Sequence, residues 1–418
     1  MSSADPVRSS RPATSSPDLV PVEVDARIAT LDALRGLAVL GILAVNAVSF
    51  ALPMMVYGDV RLSPFAVTGA NAVAHWIVEV FFQQKFITLF SMLFGASIYL
   101  VGRETTDLAR GRLLRRRLFW LAIIGLIHGL GVWYGDVLLL YAWAGVFVMM
   151  MRSMPARTLI AIGLGATLLL GAIQGLTAWL AVAGPPALTQ AMAEDHPASL
   201  QAVRAAIAAY RSGWAGAMGQ NLQSWLVLQG LSLTMFVVPT AALMMLGMGL
   251  FKTGFFSGQA PVRLYGAVIA AGACVLALLG VLDWVEIMAP PGAGPTRGLN
   301  QIAAAFPVFV TLAYASVLIL ATTRGPAWLT AALRPVGRMA FTNYLTQSLI
   351  MASVFYLPWG PGLFGRMDYV GLWGVVLAVW AVQLVWSPLW LAAFRMGPLE
   401  WVWRCLTYGR RLPIRKPV

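Results

Sequence analysis

The chain has 418 residues, of which 59% are hydrophobic and only 11% charged. A soluble domain carries about 25% charged residues, so an ordinary water-soluble fold is excluded, and apolar stretches recurring along the whole length point to an all-α, polytopic helix bundle in lipid. The net charge of +13 does not indicate nucleic acid: the basic residues cluster between apolar runs, as topology signals do, and no basic, aromatic-interleaved groove module is readable.

Residues 1–26 are rich in Ser, Pro and Asp, lack an apolar core and read as a disordered cytoplasmic tail, not a signal peptide. The first span then serves as an uncleaved anchor. The transmembrane bundle is expected over 27–396. Runs long enough to cross about 30 Å of hydrocarbon fall at 34–56, 77–101, 117–134, 136–151, 158–183, 222–251, 264–287, 300–321, 339–357 and 370–394. Residues 184–221 form the one long loop, with a helix-prone piece from Ala198 to Tyr210 suited to the interface plane. Residues 397–418 read as an interfacial cytoplasmic helix and basic tail, in which Glu400 and Arg404 stand one helical turn apart. With the N-terminus inside, 23 of the 29 lysines and arginines fall on the cytoplasmic side and 5 outside, which leaves Lys85 within a span. That asymmetry is a strong orientation signal, and it puts both termini in the cytoplasm and the loop 184–221 outside. Cys274 and Cys405 lie in unlike environments, so neither a disulfide nor a metal ligand set is expected.

The polar residues within lipid are the candidate site, because ionisable side chains there are costly. Asp32 and Arg35 meet on one helix face, with Asn46 three turns further along the same stripe. They read either as a structural ion pair or as an anchor for an anionic cytosolic ligand, which arginine's planar fork suits. Glu79, Gln83 and Lys85 open the second span as a buried ion pair or a substrate channel. The arginine-dense run to Arg115, Arg116 and Arg117 sets topology and binds lipid headgroups, or receives a phosphate-rich cofactor. His128, about 16 Å of helical rise beyond Arg117, is the histidine well inside an apolar run. It is either a satisfied core residue or a catalytic, proton-handling one. Asp136 follows eight residues later, too far along a straight helix for contact, about 12 Å, but the break at Gly135 allows it to fold back. Asn343 and Gln347 form an amide stripe that either glues helices together or lines a polar cavity.

Five stretches taken together resemble the YeiB-type family of bacterial inner-membrane proteins. They are LDALRGLAVLGILAVN at 31–46, KFITLFSMLFG at 85–95, GLIHGLGVWYGDVLLLYA at 125–142, GRMAFTNYLTQS at 337–348 and GPLEWVWR at 397–404. The opening stretch is also similar to that of transmembrane acyltransferases of the heparan-α-glucosaminide N-acetyltransferase type. That resemblance implies a ten- or eleven-span bundle with a tunnel, acyl-CoA (acetyl-CoA foremost) as donor at the inner mouth, and a small-molecule or glycan acceptor at the outer face. Arg35 and Arg115–Arg117 would then hold the donor, with His128 as general base and Asp136 orienting it. Lys85, Asn46 or Asn343 would stabilise the oxyanion. In the glucosaminide enzymes the catalytic histidine follows the first span, where this chain has only His75. Other expected partners are membrane lipids and a second copy of the chain; no metal is expected. A transporter or flippase using the same polar residues as a proton path, and a lipid scaffold in which they are only glue, are the competing readings.

Overall fold

The computed structural model describes residues 28–187, 189, 200–288 and 303–416. The expected N-terminal tail, part of the loop 184–221 and the start of the expected span at 300–321 lie outside them. Among the described residues the secondary structure is helical apart from one isolated bridge between Phe394 and Arg415. Seven helical stretches among these residues are long and apolar enough to cross a membrane. The protein is an all-α polytopic membrane bundle.

The helices run in chain order as α1 (Ala29–Ala51), α2 (Met54–Gly58), α3 (Gly69–Ile77), α4 (Lys85–Gly102), α5 (Leu108–Gly131), α6 (Leu138–Met150) and α7 (Ala156–Ala183). They continue as α8 (Leu200–Arg211), α9 (Trp214–Leu231), α10 (Val237–Lys252), α11 (Val262–Met288) and α12 (Pro307–Arg324). The last are α13 (Trp328–Ala331), α14 (Leu333–Arg338), α15 (Ala340–Phe355), α16 (Tyr369–Ala393) and α17 (Pro398–Tyr408). Three of the ten expected spans fall outside the seven. The third corresponds to α5, which starts nine residues earlier than expected and takes in the arginine run; α6 and α15 are 13 and 16 residues long.

α1 is the hub, buried along most of its length. It crosses α14 so closely that a Cβ on Gly36 would overlap the Leu333 carbonyl, and one on Gly337 would overlap that of Asp32. The glycines of the LRG and GRM stretches therefore let two backbones touch, as small residues do between membrane helices. α4 and α10 repeat the device with Gly95 against Met244 and Gly247 against Met92.

Two of the expected spans are broken. Residues 69–102 pass through a π-helical turn at Val78–Phe82, and Gln84 then takes a left-handed backbone at φ 64° before α4 begins. Residues 214–252 are interrupted by a second π turn, Ser232–Phe236, just ahead of Pro239. α8 corresponds to the helix-prone piece in the long loop. It packs Val203, Ile207 and Tyr210 into the core, with Tyr210 stacked on Phe364 at 3.8 Å between ring centroids.

α17 docks on the basic end of α5. Trp403 Nε1 donates to the Arg117 carbonyl at 3.1 Å, and the Arg117 guanidinium lies 3.9 Å over the indole ring. Glu400 turns to the start of α15. Its carboxylate accepts from the backbone N–H groups of Phe341 and Thr342, at 2.8 and 3.0 Å, and from the Thr342 hydroxyl.

Candidate functional site

His128 sits in the last turn of α5. Its carbonyl accepts the N–H groups of both Val132 and Trp133, which closes the helix. The chain then turns through Trp133–Asp136, with Gly135 pressed so tightly on the Trp133 ring that a Cβ would collide. Gly125 and Gly129 leave α5 bare where the chain returns, since a Cβ on Gly125 would meet the Asp136 carboxylate and the Leu139 N–H. The motif glycines thus give Asp136 its place.

The result is direct contact. His128 Nδ1 lies 2.9 Å from Asp136 Oδ1, and the two residues are each 3% exposed. The other carboxylate oxygen accepts from Leu139 N at 2.9 Å, so Asp136 also caps α6. An ionised carboxylate only accepts, so with Asp136 ionised and the ring neutral the proton sits on Nδ1 and a lone pair is left on Nε2. That Nε2 is buried and has no hydrogen-bond partner among the described residues. Tyr344 packs against the imidazole at 5.5 Å and Trp133 at 6.4 Å between ring centroids. An imidazole oriented by a buried carboxylate, with its second nitrogen free, has the arrangement of a general base.

At the other end of α5 the arginines divide. Arg117 lies within electrostatic reach of Arg35 and Arg404, so α1, α5 and α17 each contribute a guanidinium to one patch. Arg35 also pairs with Asp32 at 3.2 Å. Arg116 donates to the Leu406 carbonyl at 3.2 Å, while Arg115 is exposed and on the side of Arg152.

The remaining expected site residues form two further groups. Lys85 is 3% exposed, and its Nζ donates to the Glu79 carbonyl at 2.7 Å, across the π turn. Asp283 of α11 joins Glu79 and Lys85 electrostatically, and the Gln83 side chain bonds to the Tyr57 hydroxyl. Beside this break, an apolar groove of about 540 Å³ runs between the π turn and α11, walled by Trp76, Phe81 and Trp284.

Asn343 and Gln347 bind helices together. Asn343 Nδ2 donates to the Val336 carbonyl and to Ser387 Oγ, at 3.0 and 3.1 Å, and its Oδ1 accepts from Trp386. Gln347 Nε2 donates to the Val39 carbonyl and to Gln383, at 3.2 and 2.7 Å. The amide donors are committed to these partners. Asn46 is half-buried on α1, and its carbonyl accepts from Ser49 Oγ at 2.9 Å.

Sequence reasoning missed four residues here. Asp283 had a signal, an acid in an apolar run. Arg404 was paired with Glu400 on paper. Asn221 and Trp225 on α9 had none, because only the fold brings them to α5. Asn221 Nδ2 donates to the Gly129 carbonyl at 2.9 Å, and the Trp225 indole nitrogen rests on the bare Gly129.

Residues 250–410 match a family described as "Protein of unknown function (DUF418)". Over 406 residues the chain is 33% identical to the uncharacterised protein YeiB of Escherichia coli K12, covering 91% of this chain and 96% of YeiB. It is 30% identical to the uncharacterised protein YxaH of Bacillus subtilis 168, over 95% of this chain and 98% of that one. An uncharacterised 39.9 kDa protein from the amylase 3' region of Bacillus acidopullulyticus is likewise 30% identical, over 94% and 97%. No solved structure matches the chain. The full-length likeness to YeiB, running through both the dyad segment and the matched C-terminal part, means that the chain belongs to the YeiB family of membrane proteins.

Proposed function

We propose that the protein is an acyltransferase of the bacterial cytoplasmic membrane that moves an acyl group from cytosolic acyl-CoA to an acceptor at the outer face. The observation that carries this reading is the buried His128–Asp136 dyad with Nε2 left free. In the step proposed, His128 Nε2 takes the proton of an acceptor hydroxyl as its oxygen attacks the thioester carbon. The acyl–oxygen bond forms, the acyl–sulfur bond breaks, and the proton passes to the departing thiolate. Asp136 holds the ring in the required tautomer and stabilises the imidazolium.

The Arg35–Arg117–Arg404 patch supports a donor site at the inner end, because guanidinium forks match phosphate oxygens in paired hydrogen bonds. Leu118, Leu121, Leu138 and Tyr141 are buried along the path from that patch to His128. Transfer therefore requires this layer to open when the donor binds. The test has two arms. Titration calorimetry of purified protein with acetyl-CoA is expected to give binding that weakens at least tenfold in the Arg35→Ala, Arg117→Ala double variant. Membranes given labelled acetyl-CoA are expected to form a labelled product that disappears in His128→Ala. Absence of binding to any acyl-CoA tested would sink the proposal.

The broken second span favours a second reading, a transporter. Discontinuous membrane helices with a buried lysine at the break are a common way to build substrate and ion sites. This reading predicts pH-dependent solute flux into proteoliposomes, abolished by Lys85→Met, with no covalent product.

A further inference from the structure

Around the last turn of α5, four buried side-chain atoms lack a hydrogen-bond partner among the described residues: His128 Nε2, Trp133 Nε1, Asn221 Oδ1 and Trp225 Nε1. Buried polar groups are nearly always paired, and each exception calls for an explanation. These four are close together. The His128 and Trp133 rings meet edge to face. Asn221 and Trp225 are one turn apart on α9; the first holds the Gly129 carbonyl, and the second lies over Gly129 on the side where Asp136 also packs. The seam between α5 and α9 thus presents two N–H donors and two acceptors beside the dyad.

We infer that this seam binds the acceptor, and that the acceptor is a neutral, hydroxyl-bearing lipid that arrives sideways from the bilayer. The class follows from the four atoms. A hydroxyl donates to an imidazole or amide acceptor and accepts from an indole N–H. A carboxylate or phosphate has no proton to give and is repelled by Asp136, and an ammonium accepts nothing. The route follows from α9. Its other face carries Leu222, Leu226, Val227 and Leu231, all exposed, so a gap opened beside it leads to hydrocarbon. α9 is also bounded by two conformational irregularities, Gly213 at φ 116° and the π turn Ser232–Phe236. π turns of this kind recur at functional sites in helices. The inference rests on the proposed reaction for the meaning of the site, but binding at the seam is tested without it.

The test uses full-length protein in nanodiscs, with no acyl donor present. Diethyl pyrocarbonate modification of His128 is followed by mass spectrometry, with His75 as internal reference. The lipid probe is 1-monooleoylglycerol, compared with glycerol, which lacks the tail, and oleate, which lacks the neutral hydroxyls. Monooleoylglycerol is expected to slow His128 modification at least threefold, while glycerol and oleate do not. Asn221→Ala and Trp225→Phe are expected to remove that protection. Equal protection by glycerol overturns the lipid, and equal protection by oleate overturns the hydroxyl recognition. A His128 that stays unreactive both in the native protein and in Trp225→Ala overturns the seam as the way in. Protection by monooleoylglycerol in a native protein that transfers no acyl group overturns the proposed reaction and leaves the site standing.

Discussion

Asp136 performs two tasks with two oxygens, one on His128 Nδ1 and one on Leu139 N. Asp136→Asn separates them. The amide can keep the cap through its oxygen, but it then offers an N–H to Nδ1, which forces the ring into the other tautomer and protonates Nε2. In a carboxylate-oriented histidine base of this kind, that change costs on the order of 10⁴ in rate. The expected outcome is therefore a protein of near-native melting temperature with acyl transfer down by about 10³–10⁴. His128→Ala should be as inactive, and the double variant no worse than either, because residues acting as a unit are not additive. Additive losses would mean that the two do not form one device. The dyad was half legible in the sequence. An ionisable residue in an apolar run, the neighbouring glycines and the Gly135 break all pointed to it, whereas the contact itself depends on the turn geometry. Asn221 and Trp225 were illegible, since nothing in the spacing of α9 marks which of its polar side chains, Gln220, Asn221, Gln223, Ser224 or Gln229, meets α5.

Gln84 tests strain at the level of one residue set within an element. Its backbone is left-handed and its side chain exposed. A side chain in that region costs about 1–2 kcal/mol, and the exposed Gln84 side chain makes no hydrogen bond among the described residues that truncation would remove. If the break serves only to bend the chain, Gln84→Gly should raise the melting temperature and leave function unchanged. A rise accompanied by lost activity would tie the strained turn, with Lys85 and Glu79, to function.

Among elements, α17 shows how a motif can be recognised and its role misread. The helix at 398–408 was legible from its tryptophans and charges. Local spacing paired Glu400 with Arg404, but the carboxylate crosses to α15 and satisfies two of its first N–H groups. Long-range capping leaves no periodic trace in a sequence, so spacing rules cannot find it. Glu400→Ala leaves Phe341 N and Thr342 N without that acceptor and removes a cap, which costs about 2 kcal/mol. The expected result is a lower melting temperature in detergent and faster proteolysis at the C-terminal segment, whose anchor on Arg117 would loosen as well. The break at the start of the expected span 77–101 leaves no mark in the sequence for a related reason, whereas Pro239 marks an interruption in the span 222–251. Hydropathy averages over a window and does not register a π turn.

At the scale of the whole molecule, the number of crossings decides the topology. Seven long apolar helices alone would put the two ends of the chain on opposite sides of the membrane. The charge asymmetry predicts them on the same side, which needs an even number. Crossings by α5, α6 and α15 would supply the difference, and that is the expectation tested below. α5 is about 36 Å long and falls short in hydropathy only through its arginines, while α6 and α15 reach about 20 and 24 Å. Helices that short can still cross if their ends are buried in protein or the bilayer thins locally, and both pack into the core beside longer helices. Ten crossings place Arg112 inside and Trp359 outside. In a protein with Cys274 and Cys405 replaced by Ser, a cysteine at either position is accessible, since both residues are exposed. A membrane-impermeant maleimide should label Trp359→Cys in right-side-out vesicles and Arg112→Cys only in inverted ones. Labelling of both from one side would mean an even number of crossings between them, so that one of α5, α6 and α15, or all three, does not span the bilayer. If the helix that fails to cross is α5, the arginine patch at its start and the dyad at its end share one face, and transfer from one side of the membrane to the other has no route.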